Sequence, residues 1–343
     1  MRLLLLDYIS YLGHRNFNTV QVNALIKIGY DICLVGRTGQ FENIKKKDNV
    51  SSVEIPEVFF KKWPKGAVFF RLQGIMILLW VKEHIRWRDY DAVLVLTYDI
   101  MSIFIFRIST RTFLINHNNV SQLSNKIKLC LTRHLPNNYS HIALNDEMYR
   151  RLKELLPGRD VYYVPHGICP PSNKIRKPSF ILDMGRFLFC PVNNNYDPLF
   201  VKKIFEDRTF LDYLKSSGIV LYVKESLGVG CDGCNVKKVP TTMKEEEYNF
   251  MLKNALAVLL PYCEFFKYRC SGIFFECVSF GTPVIVTKLA TFDFYKNMVE
   301  MKTFSDVVSL ICAIKYYSDE KKIMHDLSLF DPTCYWKTVI ERS

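Results

Sequence analysis

Short apolar runs alternate with stretches of helical spacing from the first residues onward. Residues 2–7 predict a buried strand, residues 17–28 a helix that ends at Gly29, and residues 30–35 a second strand. A strand, a helix and a strand in succession form a β-α-β unit. Such a unit implies a parallel sheet.

The same alternation continues along both halves of the chain. In the first half, apolar runs predict strands at 92–97, 112–116 and 140–144, and Asn145 caps a helix that extends to Leu156. Four prolines between Pro165 and Pro178 then resist both helix and strand. The later elements are strands at 186–191, 219–224, 236–239, 256–260 and 283–287 and helices at 197–205, 245–253 and 272–280.

This order of elements predicts an α/β protein with two doubly wound, Rossmann-like domains facing across a cleft. The predicted boundaries are a first domain at 1–168, a linker at 169–178 and a second domain at 179–325. Residues 326–343 form a C-terminal segment that we expect to return to the first domain. Ligands of open α/β sheets bind beyond the carboxyl ends of the strands, so the cleft is the predicted site.

Composition agrees with a folded, two-domain protein. The chain has 343 residues, of which 49% are hydrophobic and 23% are charged. Its 11 cysteines are scattered and odd in number, which favours reduced core residues over a disulfide scaffold. Cys231 and Cys234 form a lone Cys-x-x-Cys, and a glycine-rich loop is favoured there over structural zinc. Asp7 interrupts the N-terminal apolar run too early for a signal peptide, and no run is long enough to span a membrane.

The net charge of +12 lies mostly in the first half of the chain. Residues 1–172 carry 23 Lys and Arg against 14 Asp and Glu, whereas residues 173–343 carry 23 against 20. Residues 59–88 mix these cations with tryptophan and phenylalanine, which suits an anionic membrane surface. A solvated basic helix face beside core aromatics explains the mixture equally well. No nucleic-acid-binding motif accompanies the charge, so we expect no nucleic-acid partner.

The stretch 259–287 carries the most specific chemistry. A predicted strand and a polar loop lead into a helix opened by Ser271 and Gly272, with Arg269 just before it. Helix amides, a glycine that permits close approach and a guanidinium together form a plausible diphosphate cradle. Glu276 lies further along the helix, where a carboxylate could accept both hydroxyls of a ribose. The alternative is an ordinary strand-loop-helix-strand unit in which Glu276 is only a solvated helix residue.

This stretch resembles the GT-B glycosyltransferases at Glu276, Gly281, Pro283 and Val284. The resemblance is greatest to the retaining group, which has two glutamates eight positions apart before Gly-x-Pro-Val. This resemblance implies that Glu276 binds the nucleotide ribose. Tyr268 stands where that group has its first glutamate, which helps to position the donor sugar, so retaining stereochemistry is not implied. The loop YRCSG is similar to the Arg-x-Ser-Gly loop of bacterial polysaccharide transferases.

Two further donor-side features follow predicted strands. Lys224 ends the strand at 219–224, and the resemblance implies contact with the donor diphosphate; a solvated strand-end lysine is the alternative. Asn193 and Asn194, with Asn195, follow the strand at 186–191, where asparagine tolerates left-handed backbone. They bind phosphate or sugar under one hypothesis and form a simple turn under the other.

Sugar transfer also needs groups on the acceptor side. His14, Asp99 and His117 follow predicted strands of the first domain and are the candidate catalytic residues, each with a polar loop residue as its alternative. His117 ranks first, because similar transferases often have a histidine after the equivalent strand.

The leading hypothesis is a cytoplasmic glycosyltransferase, peripheral on the bacterial inner membrane, that acts in surface polysaccharide synthesis. Its donor would be a nucleoside-diphosphate sugar and its acceptor a glycan or polyprenyl-linked sugar, with no other cofactor. No Asp-x-Asp occurs, so we expect no metal. The alternatives are a noncatalytic partner subunit of the same fold, which Tyr268 in place of glutamate keeps open, and a nucleotide-sugar epimerase.

Overall fold

The computed structural model describes residues 1–9, 14–42, 44, 48–61, 66–181, 185–229, 235–319 and 325–342. Its internal contacts divide the chain into two compact units. The first unit comprises Met1–Gly167, Tyr268–Cys270 and Phe330–Ser343. The second comprises Ile168–Lys267 and Ser271–Leu329.

The first unit is built on a parallel sheet. Its elements are β1 (Arg2–Asp7), α1 (Arg15–Ile28), β2 (Asp31–Arg37), β3 (Val50–Ile55), α2 (Ala67–His84), β4 (Ala92–Thr97), α3 (Ile100–Ile105), β5 (Thr112–Ile115), α4 (Asn119–Gln122), α5 (Lys126–Arg133), β6 (Tyr139–Ala143), α6 (Asp146–Leu155) and β7 (Val161–Tyr163). The strand order among the described residues is β3-β2-β1-β4-β5-β6-β7.

Local chemistry explains several of these boundaries. Gly29 ends α1 with a φ of 97°, a left-handed conformation that costs glycine little. Asn145 caps α6, because its side-chain oxygen accepts a hydrogen bond from the Met148 amide at 2.7 Å. Strands β1 and β4 are almost wholly buried, as expected for the centre of a sheet covered on both faces.

The second unit repeats this design with a six-stranded parallel sheet. Its elements are β8 (Phe187–Cys190), α7 (Pro198–Phe205), α8 (Arg208–Ser216), β9 (Val220–Lys224), β10 (Val236–Val239), α9 (Glu245–Asn254), β11 (Ala257–Leu260), α10 (Gly272–Phe280), β12 (Val284–Thr287), α11 (Ala290–Asp293), β13 (Met301–Phe304) and α12 (Val307–Asp319). The described strand order is β10-β9-β8-β11-β12-β13.

Each sheet reverses its strand order once. The chain runs outward from β1 to β3 and returns to the other side of β1 at β4, and it does the same around β8 before β11. The helices on either side of such a reversal diverge, which leaves a crevice at the carboxyl ends of the two strands. The first unit therefore has its crevice at β1 and β4, and the second at β8 and β11.

The C-terminal helix α13 (Thr333–Arg342) belongs to the first unit and packs against α1. Trp336 is fully buried, and its indole nitrogen donates to the side-chain oxygen of Gln21 at 2.6 Å. Gln21 in turn donates to the His166 carbonyl at 2.7 Å. This chain of contacts joins α13 to α1 and to the segment that follows β7.

Among the described residues, no helix combines the length and the apolar character needed to cross a membrane.

Candidate functional site

Three polar side chains meet at the carboxyl edge of the second sheet. Lys224 ends β9, Tyr248 lies in the first half of α9, and Glu276 lies in the second turn of α10. The Tyr248 hydroxyl donates to a carboxylate oxygen of Glu276 at 3.3 Å. The ammonium of Lys224 lies 5.4 Å from the centre of the Tyr248 ring, within cation–π range. These residues form the donor cluster, named here for the predicted ligand.

Burial sets the electrostatics of the donor cluster. Lys224 is only 8% exposed, and burial lowers the pKa of its ammonium, against opposing effects of Cys190 and Glu276. Burial, with the adjacent Glu276 charge, raises the pKa of Tyr248 well above its ordinary value, so its hydroxyl remains a donor. Lys224 is therefore not a solvated strand-end residue, and Glu276 is half-buried rather than solvated.

The N-terminus of α10 lies beside this cluster. Ser271 is its N-cap: the hydroxyl accepts from the Phe274 amide at 3.0 Å and shares a 2.7 Å hydrogen bond with the Tyr262 hydroxyl. The Ser271 side chain is thus occupied, whereas helix geometry leaves the amides of Gly272 and Ile273 without intrahelical acceptors. A Cβ at Gly272 would meet no described atom within 4 Å, so packing does not require glycine there.

The asparagine loop follows β8, at the predicted crevice. Asn195 has a φ of 61°, the left-handed backbone that the sequence predicted for this loop. Asn193 and Asn194 are exposed. The Asn193 side-chain oxygen accepts from the Ser226 hydroxyl at 3.3 Å, and the Asn195 carbonyl accepts from the Cys263 amide at 2.8 Å. Turn geometry is therefore established for the loop, and ligand contact stays a prediction.

Tyr268 and Arg269 belong by their contacts to the first unit. The Arg269 Nε donates to the Ser121 hydroxyl at 3.2 Å, and the Arg151 guanidinium lies 5.6 Å from the centre of the Tyr268 ring. A role for Arg269 toward a diphosphate therefore stays a prediction. Cys231 and Cys234, the lone Cys-x-x-Cys, lie outside the described residues.

A cavity of about 450 Å³ lies at the carboxyl ends of β1 and β4 in the first unit. All three catalytic candidates, His14, Asp99 and His117, line it. The other lining residues are Ile9, Ala67, Phe70, Arg71, Thr97, Tyr98, Asn118, Asn119, Gln122 and Lys128. Three residues that the sequence analysis considered separately thus line one cavity, at the crevice expected where the strand order reverses.

His117 is the most constrained of the three candidates. The ring is 8% exposed and packs edge-on against His14 and Phe17, with centroid distances of 4.5 and 4.4 Å. Burial, then the neighbouring His14 and His166, lowers the pKa of His117 well below its ordinary value of 6.5. The ring is therefore neutral near pH 7. Its Nε2 is buried without a hydrogen-bond partner among the described residues.

Asp99 has a structural role that the sequence did not indicate. It is the N-cap of α3, where its carboxylate accepts from the Ser102 amide at 2.9 Å. At the end of β1, the buried Asp7 carboxylate accepts from Asn18 and Gln40, both at 2.6 Å, and from the Thr97 hydroxyl. Both acids thus hold the crevice in shape through hydrogen bonds.

No protein-family model and no curated protein sequence matches this chain. Solved structures match nearly all of it. A UDP-forming α,α-trehalose-phosphate synthase from Burkholderia xenovorans, in complex with glucose-6-phosphate, has a TM-score of 0.64 at 8% identity and covers 100% of this chain and 99% of its own. The chain has the GT-B fold.

Two further GT-B structures give the same result. The trehalose-6-phosphate protein from E. coli bound with UDP-2-fluoro glucose has a TM-score of 0.60 at 10% identity, with 100% of this chain and 96% of that chain covered. HepE from Anabaena in complex with UDP-glucose has a TM-score of 0.54 at 11% identity, with 99% and 94% covered. At these identities the likeness establishes the fold, and the predicted fold class of two Rossmann-like α/β domains is confirmed.

Sequence reasoning missed three polar residues of these GT-B crevices. Tyr248 was not singled out, because a tyrosine within a helix is an ordinary core residue until its hydroxyl is seen on Glu276. Arg71 and Lys128 line the first-unit cavity from α2 and α5. Both belong to basic stretches without a motif, so only the fold could place them there.

Proposed function

We propose that the chain is a glycosyltransferase that moves a sugar from a nucleoside-diphosphate donor to a glycan or lipid-linked acceptor. The observation that carries the proposal is the donor cluster, in which Lys224, Tyr248 and Glu276 stand beside the N-terminus of α10 at the crevice of a Rossmann-like sheet. A carboxylate, an ammonium and helix amides supply complementary partners for a ribose and a diphosphate.

In this mechanism the second unit binds the donor and stabilises the leaving group. Glu276 accepts hydrogen bonds from the ribose hydroxyls, and the Tyr248 hydroxyl holds its carboxylate in place. Lys224 and the amides of Gly272 and Ile273 neutralise the diphosphate, on which negative charge grows as the glycosidic bond breaks. Lys224 is mostly buried, and burial strengthens the attraction between its ammonium and a phosphate that binds beside it.

The first-unit cavity binds the acceptor and contributes His117. A volume of about 450 Å³ accommodates a sugar-sized group, and the polar lining offers it hydrogen bonds. A neutral imidazole whose Nε2 has no hydrogen-bond partner among the described residues can accept the hydroxyl proton or hydrogen bond of a sugar. Surface polysaccharide synthesis is the pathway class that the sequence resemblance supports. No metal takes part in the proposed steps.

A thermal-shift screen with UDP, GDP, CMP and dTDP tests the proposed function. We expect one nucleotide class to raise the unfolding midpoint, because a ligand that binds only the folded state stabilises it by about 2.7 kcal/mol at a hundred times its Kd. Glu276→Ala should reduce that shift. If none of the four nucleotides stabilises the protein at millimolar concentration, the donor assignment is wrong.

The exposed face of α2 supports peripheral attachment to an anionic membrane. Val68, Leu72, Met76 and Leu79 are 45–63% exposed at helical spacing, while Gly74, Ile77, Leu78 and Val81 are buried on the opposite face. Exposed cations lie before and after this apolar stripe in the sequence, at Lys61, Lys82, Arg86 and Arg88. An apolar stripe flanked by cations is complementary to anionic headgroups above acyl chains.

Substitution of the stripe tests this attachment. Leu72→Ser with Met76→Ser should weaken co-sedimentation with vesicles containing phosphatidylglycerol by at least about tenfold, because two apolar groups no longer enter the bilayer. Leu199→Ser on α7, which removes a leucine that is 79% exposed in the second unit, is the matched control. If co-sedimentation does not depend on the fraction of anionic lipid, or is unchanged in the double variant, this face of α2 is not a membrane-binding surface.

A further inference from the structure

The described lining of the first-unit cavity carries more positive than negative charge. Arg71 from α2 and Lys128 from α5 supply two cations, and Asp99 is the single acid among the lining residues. The Asp99 carboxylate is buried and accepts a hydrogen bond from the Ser102 amide. No ion pair among the described residues joins it to Arg71 or Lys128, so the lining residues themselves carry a net charge of about +1.

The N-terminus of α2 adds to that field. Its first turn contributes Ala67 and Phe70 to the cavity wall, and Arg71 follows directly. The N-cap, Gly66, forms no side-chain cap, and the first turn holds no acidic residue. The positive end of an 18-residue helix thus lies at the cavity, and no side chain that the structure describes caps its first amides.

Both cations keep donors available for a ligand. The Lys128 ammonium donates to the Gln122 side-chain oxygen, which leaves two of its three protons. Arg71 forms no ion pair or hydrogen bond with any residue that the structure describes. Its planar guanidinium presents five N–H donors, a geometry that matches phosphate oxygens.

We propose that this cavity binds a phosphate group carried by the acceptor, with Arg71 and Lys128 as the binding residues and the first turn of α2 as a further donor. This inference deepens the proposed function and rests on it. The acceptor class is then a phosphorylated saccharide, either a soluble sugar phosphate or a sugar joined through phosphate to a lipid. Ile9 and Phe70 give the same cavity an apolar wall for the rest of the acceptor.

Calorimetric titration of the full chain tests the proposal. The donor site is first saturated with the nucleoside diphosphate selected by the thermal-shift screen, and the protein is then titrated with glucose 6-phosphate, farnesyl phosphate and glucuronate. We expect the phosphate probes to bind, and Arg71→Gln and Lys128→Gln each to weaken them about ten- to a hundredfold, through loss of a charge-assisted hydrogen bond. Arg71→Lys should recover part of the loss.

A matched control distinguishes loss of the phosphate site from a general loss of positive charge. Lys126→Gln removes an exposed cation from α5, the helix that carries Lys128, without altering the cavity lining, and it should bind like the unsubstituted protein. Thermal unfolding midpoints confirm that all variants fold. Tighter binding of farnesyl phosphate identifies a lipid acceptor, and tighter binding of glucose 6-phosphate identifies a soluble one.

Two results would overturn the phosphate site. One is unchanged phosphate affinity in both Arg71→Gln and Lys128→Gln, and the other is binding of glucuronate in place of both phosphates. These results are independent of the donor side. Failure of the proposed function would appear earlier, as the absence of nucleotide binding, and the phosphate titration can still be carried out on protein without nucleotide.

Discussion

Glu276→Ala should weaken nucleoside-diphosphate binding by about ten- to a hundredfold, because it removes charge-assisted hydrogen bonds to the ribose that contribute roughly 1.5–3 kcal/mol. The half-buried carboxylate is held by the Tyr248 hydroxyl, so it is ordered before the ligand arrives. Isothermal titration calorimetry with the nucleotide selected by screening measures the change. Arg269→Ala should cause a loss of similar size if Arg269 contacts the diphosphate.

Glu245→Ala is the matched control, since it removes an exposed carboxylate from α9 of the same unit. Its nucleotide affinity should stay within about twofold of the original. Tyr248→Phe should lie between the two, because the variant keeps Glu276 and loses only the hydrogen bond that orients it. Unchanged affinity in both Glu276→Ala and Arg269→Ala would remove the donor site from the region around α10.

The sequence predicted most of the core elements because their local signals agree with their burial. Helix α10 begins at Gly272 after a serine N-cap and ends before Gly281, which adopts a φ of 64°. Asp197 was predicted inside a helix and instead caps α7, where its carboxylate accepts from the amides of Leu199 and Phe200. Capping residues fix helix ends through hydrogen bonds to residues a few positions away. Helix ends of this kind can therefore be predicted from the local sequence.

The elements that escaped prediction have weak or mixed periodicity. Strand β3 reads VSSVEI and is mostly exposed at the edge of the first sheet, so it lacks the continuous apolar run of a central strand. Helix α2 is apolar on its exposed face as well as on its buried one, which removes the amphipathic pattern of a surface helix. It packs against α3, a contact between separate elements that no local signal reveals.

The site could be predicted only as separate residues at strand ends. The positions of Lys224, Asp99 and His117 follow from the rule that ligands bind beyond the carboxyl ends of parallel strands. The contacts of the site residues do not follow from that rule. The hydrogen bond from Tyr248 to Glu276 and the one from the Ser102 amide to Asp99 are visible only in the folded structure. Only the folded structure therefore distinguishes a strand-end residue that can bind a ligand from one, such as Asp99, that caps a helix.

His117→Ala should lower kcat by about 10² to 10⁴, the usual range for loss of a positioned acid or base, while nucleotide affinity changes little. Nucleotide binding is expected to persist because His117 lies in the first unit and the donor cluster in the second. His134→Ala on the exposed end of α5 is the matched control and should keep full turnover. Steady-state kinetics with the identified donor and acceptor measures both.

The pH profile and two further variants separate the possible roles. Burial keeps His117 neutral below its ordinary pKa of 6.5, so kcat should stay level as the pH falls from 8 through 6.5. Asp99→Asn retains an oxygen that can cap α3 but loses the negative charge. If Asp99→Asn abolishes turnover and His117→Ala does not, the base is the aspartate and an inverting mechanism follows. If His14→Ala, Asp99→Asn and His117→Ala all remain active, the first unit contributes binding alone.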